Sequence, residues 1–335
     1  MKRTPLLVLL LSALAVMGQS GEVVKLDPKL DGIVPADAKV EKLAGNLGFA
    51  EGPVWVRQAG YLLFSDIPAN VISKWTPDGK TSVAVKPSGF TGADASDVGS
   101  QNNNGKEVVT LIGSNGVTLD REGRIVFAAH GDRNVVRIEK NGQRTVLVDR
   151  YEGKRLNSPN DLVYKADGAL YFTDPAFGLR KRDEDPKKEL PFNGVYLLKE
   201  GKLQLLDKTF TAPNGLALAP GEKYLYVDDS AKKLIMRFDV QSGDTIGNGK
   251  TFIDMNSDPS PGVPDGMKVD QNGNVYCTGP GGVWILSPEG KHLGTVKAPE
   301  IPANLAFGDS DGKTLYLTAR TGLYRIRLKV AGIRP

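Results

Sequence analysis

The stretch LNSPNDLVYKADGALYFTDP, residues 156–175, sets the reading of the whole chain. A Pro-Asn-Asp turn enters an alternating apolar segment. A turn centred on Gly168 follows, and an aromatic-rich segment ends in Thr-Asp-Pro. Alternation with a period of two, broken by a Gly/Asp turn, specifies a β-hairpin. The pattern recurs. Its copies are EGPVWVRQAGYLLFSD, NGVTLDREGRIVFAA, NDLVYKADGALYFTD, NGLALAPGEKYLYVDD, DGMKVDQNGNVYCTG and NLAFGDSDGKTLYLTA, beginning at Glu51, Asn115, Asn160, Asn214, Asp265 and Asn304. The turn glycine follows the first residue by 9, 8, 8, 7, 8 and 8 positions, while the copies start 64, 45, 54, 51 and 39 residues apart. A constant unit joined by variable connections marks a repeat architecture.

Further hairpins, NVVRIEKNGQRTVLVD, NGVYLLKEGKLQLLD and KLIMRFDVQSGDTI, follow three of the copies. Two hairpins make a four-stranded sheet of about 40 to 50 residues, the size of a propeller blade. No long amphipathic helical pattern interrupts the series, which argues against α/β architectures. The expected fold is all-β: a six-bladed β-propeller of four-stranded blades around a central channel. It spans residues 38–330, and residues 38–44 (AKVEKLA) add the strand that closes the ring. A β-sandwich would not account for six copies, because radial repetition is what protects sheet edges.

Residues 1–20, MKRTPLLVLLLSALAVMGQS, combine Lys2 and Arg3 with a short apolar core and small residues. The core is too short to span a bilayer and reads as a secretory signal. The mature protein is then expected to be exported, periplasmic or secreted, with residues 21–37 as an N-terminal linker. Composition agrees with a soluble globular chain: 335 residues, 40% hydrophobic and 24% charged. Loss of Lys2 and Arg3 takes the formal charge from +4 to +2. That is too weak for a nucleic-acid footprint, and no later segment has the length of a membrane span. Cys277 is the single cysteine, so no internal disulfide is available, and its strand context reads as a small buried hydrophobe.

In a propeller the first strand of each copy lies innermost, so the six starting residues form a ring at one mouth of the channel. Glu51 and Asp265 bring a charge of −2 to that ring, and no Lys or Arg holds an equivalent position. Converging, desolvated carboxylates need a cation. With the amide oxygens of asparagine they make a hard, oxygen-only shell for a divalent ion, Ca²⁺ first, with Mg²⁺, Mn²⁺ or Zn²⁺ as alternatives. Asn and Asp also favour the turn before a strand, which would place them there without an ion.

FAEGPVW, LLFSDIP, RLNSPNDLVYKADGALYFTDPAFGL, APNGLALAPGEKYLYVDDS and PDGMKVDQNGNVY together carry a resemblance to the gluconolactonase/regucalcin-like propellers, over residues 41–328. The resemblance implies a lactone or related ester hydrolase with one essential metal on the axis. It implies Glu51, Asn160, Asn214 and Asp265 as ligands, with Asn115 and Asn304 lining the mouth. Asp265 would also remove a proton from the attacking water, and Asn160 would hold the lactone substrate. Where the regucalcin branch carries an arginine two residues before the matching asparagine, this chain has Ser158. The NSPND form is similar to the longer microbial gluconolactonases. A phosphotriesterase on the same metal site, or an exported propeller that binds without catalysis, are the rival readings.

Other side chains take structural readings. His130 is expected to be hydrogen-bonded at a strand end, and His292 to lie in a surface turn. Asp66, Asp174 and Asp228 are expected to cap turns. Residues 178–194 form a charged loop that reads as a solvated insertion or, alternatively, as a lid over the mouth with Phe177 and Leu179 as apolar walls. GDSDG at residues 308–312 matches G-x-S-x-G only as the turn of the sixth hairpin, with no helical pattern after it to make a nucleophile elbow, and no H-E-x-x-H motif is present, so serine-hydrolase and zincin chemistry lack their parts.

Overall fold

The computed structural model describes residues 21–103 and 107–333. The expected signal, residues 1–20, lies outside the described residues. Every predicted copy is an antiparallel hairpin, and six blades form a closed ring. They cover residues 50–85, 114–148, 162–207, 213–254, 267–297 and 304–327, and are numbered here as blades 1 to 6. The first strand of each blade packs on the first strand of the next, and that of blade 6 meets that of blade 1. The ring closes as expected: Glu41–Ala44 becomes the outer strand of blade 6, with Glu41 opposite Arg325. Among the described residues no helix is long and apolar enough to cross a membrane.

Residues 21–37 do not behave as a linker. Glu22–Lys25 adds a fifth strand to blade 5, with Val23 opposite Val296. A 3-10 turn, Pro28–Gly32, follows and drops Leu30 into the core with Ile33 and Val34. Each such side chain is worth roughly 1.5–3 kcal/mol when fully buried, enough to fix a segment that length alone would leave loose.

Aromatic residues on the strands fill the spaces between blades. Trp55 of blade 1 stacks on Tyr316 of blade 6 with ring centroids 5.3 Å apart, and Tyr276 of blade 5 meets Phe307 of blade 6 edge-on at 5.1 Å. Asp66 and Asp174 cap turns as expected. Asp66 accepts from the Gly48 and Phe49 amides, and Asp174 from those of Asn157 and Ser158. In blade 4 that task falls to Asp229, which accepts from the Thr211 and Ala212 amides. Asp228 points the other way, into the buried interior beside Cys277, because neighbouring strand residues face opposite sides.

The connection from blade 1 to blade 2 also differs from a featureless loop. It holds a small hairpin, Ser100–Asn103 with Glu107–Thr110. This hairpin leans on the loop that leaves blade 3: Val98 bridges Leu179, and the Gly99 amide donates to the Gly178 carbonyl at 2.8 Å.

Candidate functional site

A cavity of about 390 Å³ opens at the mouth of the channel where the inner strands begin. Glu51, Asn115, Asn160, Asn214 and Asp265 all line it, one from each of blades 1 to 5. Residues separated by 214 positions therefore share one space, as the repeat requires.

Blade 6 departs from the expected ring. The Asn160 amide bonds to the Thr173 carbonyl, and the equivalent bond in blade 6 joins Ala303 to Thr318. Ala303, not Asn304, is thus the sixth ring residue, and it lines the cavity. Asn304 corresponds to Asp161, and each accepts from the amide of the following leucine at 2.8 Å. From this lower level the Asn304 side chain hydrogen-bonds Glu51. Asn304 supports the ring and does not line its mouth.

Neighbouring blades are tied together at the ring. Ser65 Oγ donates to the Asn115 carbonyl at 2.7 Å, Gly116 N to the Asn160 carbonyl at 2.8 Å, and Thr173 Oγ1 to the Asn214 carbonyl at 2.7 Å. Ser230 Oγ donates to the Pro264 carbonyl at 2.6 Å, Gly266 N to Ala303 at 2.8 Å, and Ala50 N to Arg320 at 2.8 Å. All six junctions carry such a bond, so the ring residues are held by backbone and do not wander with flexible side chains. Glycine makes the approach close enough. A Cβ on Gly215 would stand 1.8 Å from the Asp265 carbonyl oxygen, and one on Gly52 would stand 2.1 Å from that of Asn115.

Charge in the ring has no direct ion-pair partner, although Lys268 and Arg320 offset part of it from a distance. No lysine or arginine forms an ion pair with Glu51 or Asp265 among the described residues. Burial pushes the Glu51 carboxyl up to about 7 despite a 2.7 Å bond from the Gly52 amide. Burial, and then the charge of Glu51, hold Asp265 well above the ordinary carboxylate range. The Oδ1 atoms of Asn115, Asn160 and Asn214 are buried without any hydrogen-bond partner. For Asn214 the cause is visible: its Nδ2 donates to Ser230 Oγ at 3.0 Å, which leaves Oδ1 for the cavity. A buried carbonyl without a partner costs about 1–3 kcal/mol. Three such oxygens beside two carboxylates make a donor set whose chemistry fits a hard divalent cation. Among the described residues no three His, Cys, Asp or Glu side chains gather as a metal cluster, because amides supply most of this set.

Several side chains lie elsewhere than the sequence suggests. His130 makes no hydrogen bond through either ring nitrogen and lines the cavity. Burial pushes its imidazole down to about 4, so it is neutral in ordinary conditions. His292 begins a strand of blade 5 and stacks on Trp284 at 3.7 Å. Phe177 does line the cavity, whereas Leu179, within the loop, is buried and does not. Arg320 and Ser230 line it without having been expected there. The Arg320 guanidinium lies over the Phe49 ring at 4.9 Å, and its charge opposes the upward shift at Asp265. Both follow the second strand of their blade, a position the hairpin pattern could have flagged.

Comparison with known proteins agrees with this geometry. The model of the SMP-30/Gluconolactonase/LRE-like region matches residues 49–321. A gluconolactonase of Zymomonas mobilis is 38% identical over 323 residues, covering 93% of this chain and 87% of that protein. The solved structure of a gluconolactonase from Xanthomonas campestris superposes with a TM-score of 0.76 at 30% identity, covering 91% of this chain and 94% of that one. The calcium-binding protein regucalcin from Agrobacterium tumefaciens shares the fold, with a TM-score of 0.68 at 18% identity and coverage of 88% and 97%.

Proposed function

Since the chain belongs to the SMP-30/Gluconolactonase/LRE-like family, we propose that its ring mouth opens a sugar lactone by hydrolysis, with one divalent cation as cofactor. Its relatives make it a lactonase, a carboxylic-ester hydrolase. The observation that carries the cofactor reading is the donor set: two carboxylates with no ion-pair partner among the described residues and three orphaned amide oxygens around one cavity.

Glu51, Asn160, Asn214 and Asp265 would hold the ion, which when bound supplies Lewis-acid polarisation of the lactone carbonyl. Asp265 takes a proton from the attacking water. The water oxygen bonds to the carbonyl carbon, the ring C–O bond breaks, and the proton passes to the departing ring oxygen. Asn160 orients the lactone, while Glu51 and Asn214 fix the geometry. Phe49, Phe177 and Ile301 form an apolar wall that limits bulk water. Export of the chain by residues 1–20 belongs to the same reading, and a mature N-terminus near residue 21 would support it.

The test is a hydrolysis screen over aldonolactones, with a phosphotriester run in parallel. The reading expects turnover of an aldonolactone well above that of the phosphotriester. A preference for the phosphotriester, or turnover of neither, would contradict it.

A further inference from the structure

His130 is a buried, titratable side chain at the mouth that the proposed chemistry leaves unused. It follows the strand Ile125–Ala129 of blade 2, is 1% exposed, lines the cavity, and has no partner for Nδ1 or Nε2. Two buried ring nitrogens without a protein partner each carry a desolvation cost unless another polar group pairs with them. A polar substituent entering the cavity beside it supplies that pairing. A neutral imidazole offers one N–H donor and one acceptor nitrogen. A hydroxyl group, itself donor and acceptor, can satisfy either nitrogen, whereas an ether, ester or alkyl group cannot serve the acceptor.

Position selects which part of the substrate it meets. In a ring of six, blade 2 lies across the axis from blade 5, which carries Asp265. A lactone whose carbonyl sits on the Asp265 side points its far carbons toward blade 2. On this basis, and resting on the lactonase reading above, we infer that His130 reads a hydroxyl group of the substrate and so selects polyhydroxylated lactones over plain alkyl lactones. It is a binding residue and does not touch the bond that breaks.

The experiment compares kcat/KM for D-glucono-δ-lactone and δ-valerolactone in the full chain, in His130→Phe and in His130→Gln. Phe keeps the volume and removes both polar atoms. Gln restores a donor and an acceptor. The inference expects His130→Phe to reduce the preference for gluconolactone over valerolactone by about tenfold, the worth of one lost hydrogen bond in a buried site. His130→Gln should recover most of that preference. Circular dichroism and bound-metal content, measured on each variant, show whether the fold and the ring persist. A preference that stays unchanged in His130→Phe overturns the inference while leaving the lactonase reading intact. Failure of the unsubstituted protein to hydrolyse either lactone overturns both.

Discussion

Thr173 Oγ1 donates to the Asn214 carbonyl at 2.7 Å and accepts from the Asp161 amide at 3.2 Å, so a blade 3 hydroxyl fixes a blade 4 ring residue. Thr173→Val keeps the shape and removes both bonds. It should lower stability by about 1–3 kcal/mol, since a buried amide and a buried carbonyl lose their partner. It should also weaken cation affinity roughly tenfold by loosening Asn214. Urea unfolding and a metal titration check the two effects separately.

Ser230 acts on the side chain of the same asparagine. Its Oγ accepts from Asn214 Nδ2 at 3.0 Å and donates to the Pro264 carbonyl, next to Asp265, at 2.6 Å. Ser230→Ala frees Asn214 to turn its Oδ1 away from the cavity. A loss of about 10- to 100-fold in metal affinity or activity is expected, with the fold retained. Calorimetric metal binding measures it.

Gly215 serves close approach and not backbone conformation. Its Cβ would stand 1.8 Å from the Asp265 oxygen. Gly215→Ala should cost about 3 kcal/mol or more by overpacking against backbone. Gly221→Ala is the control: φ is +71° and nothing lies within 4 Å, so only about 1–2 kcal/mol of left-handed strain is expected. Paired thermal melts would distinguish the two.

Ser158, which stands where a related branch carries arginine, is fully buried. Its Oγ donates to the Pro175 carbonyl at 2.6 Å and accepts from the Gly178 amide at 2.8 Å, which anchors the loop that carries Phe177. Ser158→Arg should therefore destabilise by about 3 kcal/mol or more and bring no gain in activity, because an unpaired cation has no room there. A soluble, fully active arginine variant would argue against this role.

The hairpins and the closing strand were legible because period-two alternation and Gly turns are local signals. Glu51, Asn160, Asn214 and Asp265 were legible because the repeat converts sequence position into place on the ring. Blade 6 was misread by one residue, since polar character drew the alignment to Asn304. Matching Leu305 to Leu162 would have set Ala303 opposite Asn160. Asp228 was misread for a related reason: one step along a strand reverses the face, and in VDD only the hydrogen-bond register separates the two aspartates. His130 was not legible at all. It is 1% exposed at a cavity lined by residues from distant parts of the chain, and no local pattern reports that burial. The glycines after Glu51, Asn115, Asn214 and Asp265 were visible, but their purpose emerges only from the spacing of adjacent blades.

The central claim is that four oxygen-bearing side chains at one mouth, Glu51, Asn160, Asn214 and Asp265, hold a divalent cation that lactone hydrolysis needs. Its most direct test is elemental analysis of the purified protein alongside gluconolactone turnover, for the unsubstituted chain, Asn214→Ala and Asp265→Ala. The account predicts about one divalent ion per chain in the first, little in the variants, and activity that falls with the metal and returns to the unsubstituted protein when the ion is restored after chelation. Undiminished turnover in a folded, metal-free sample would contradict it.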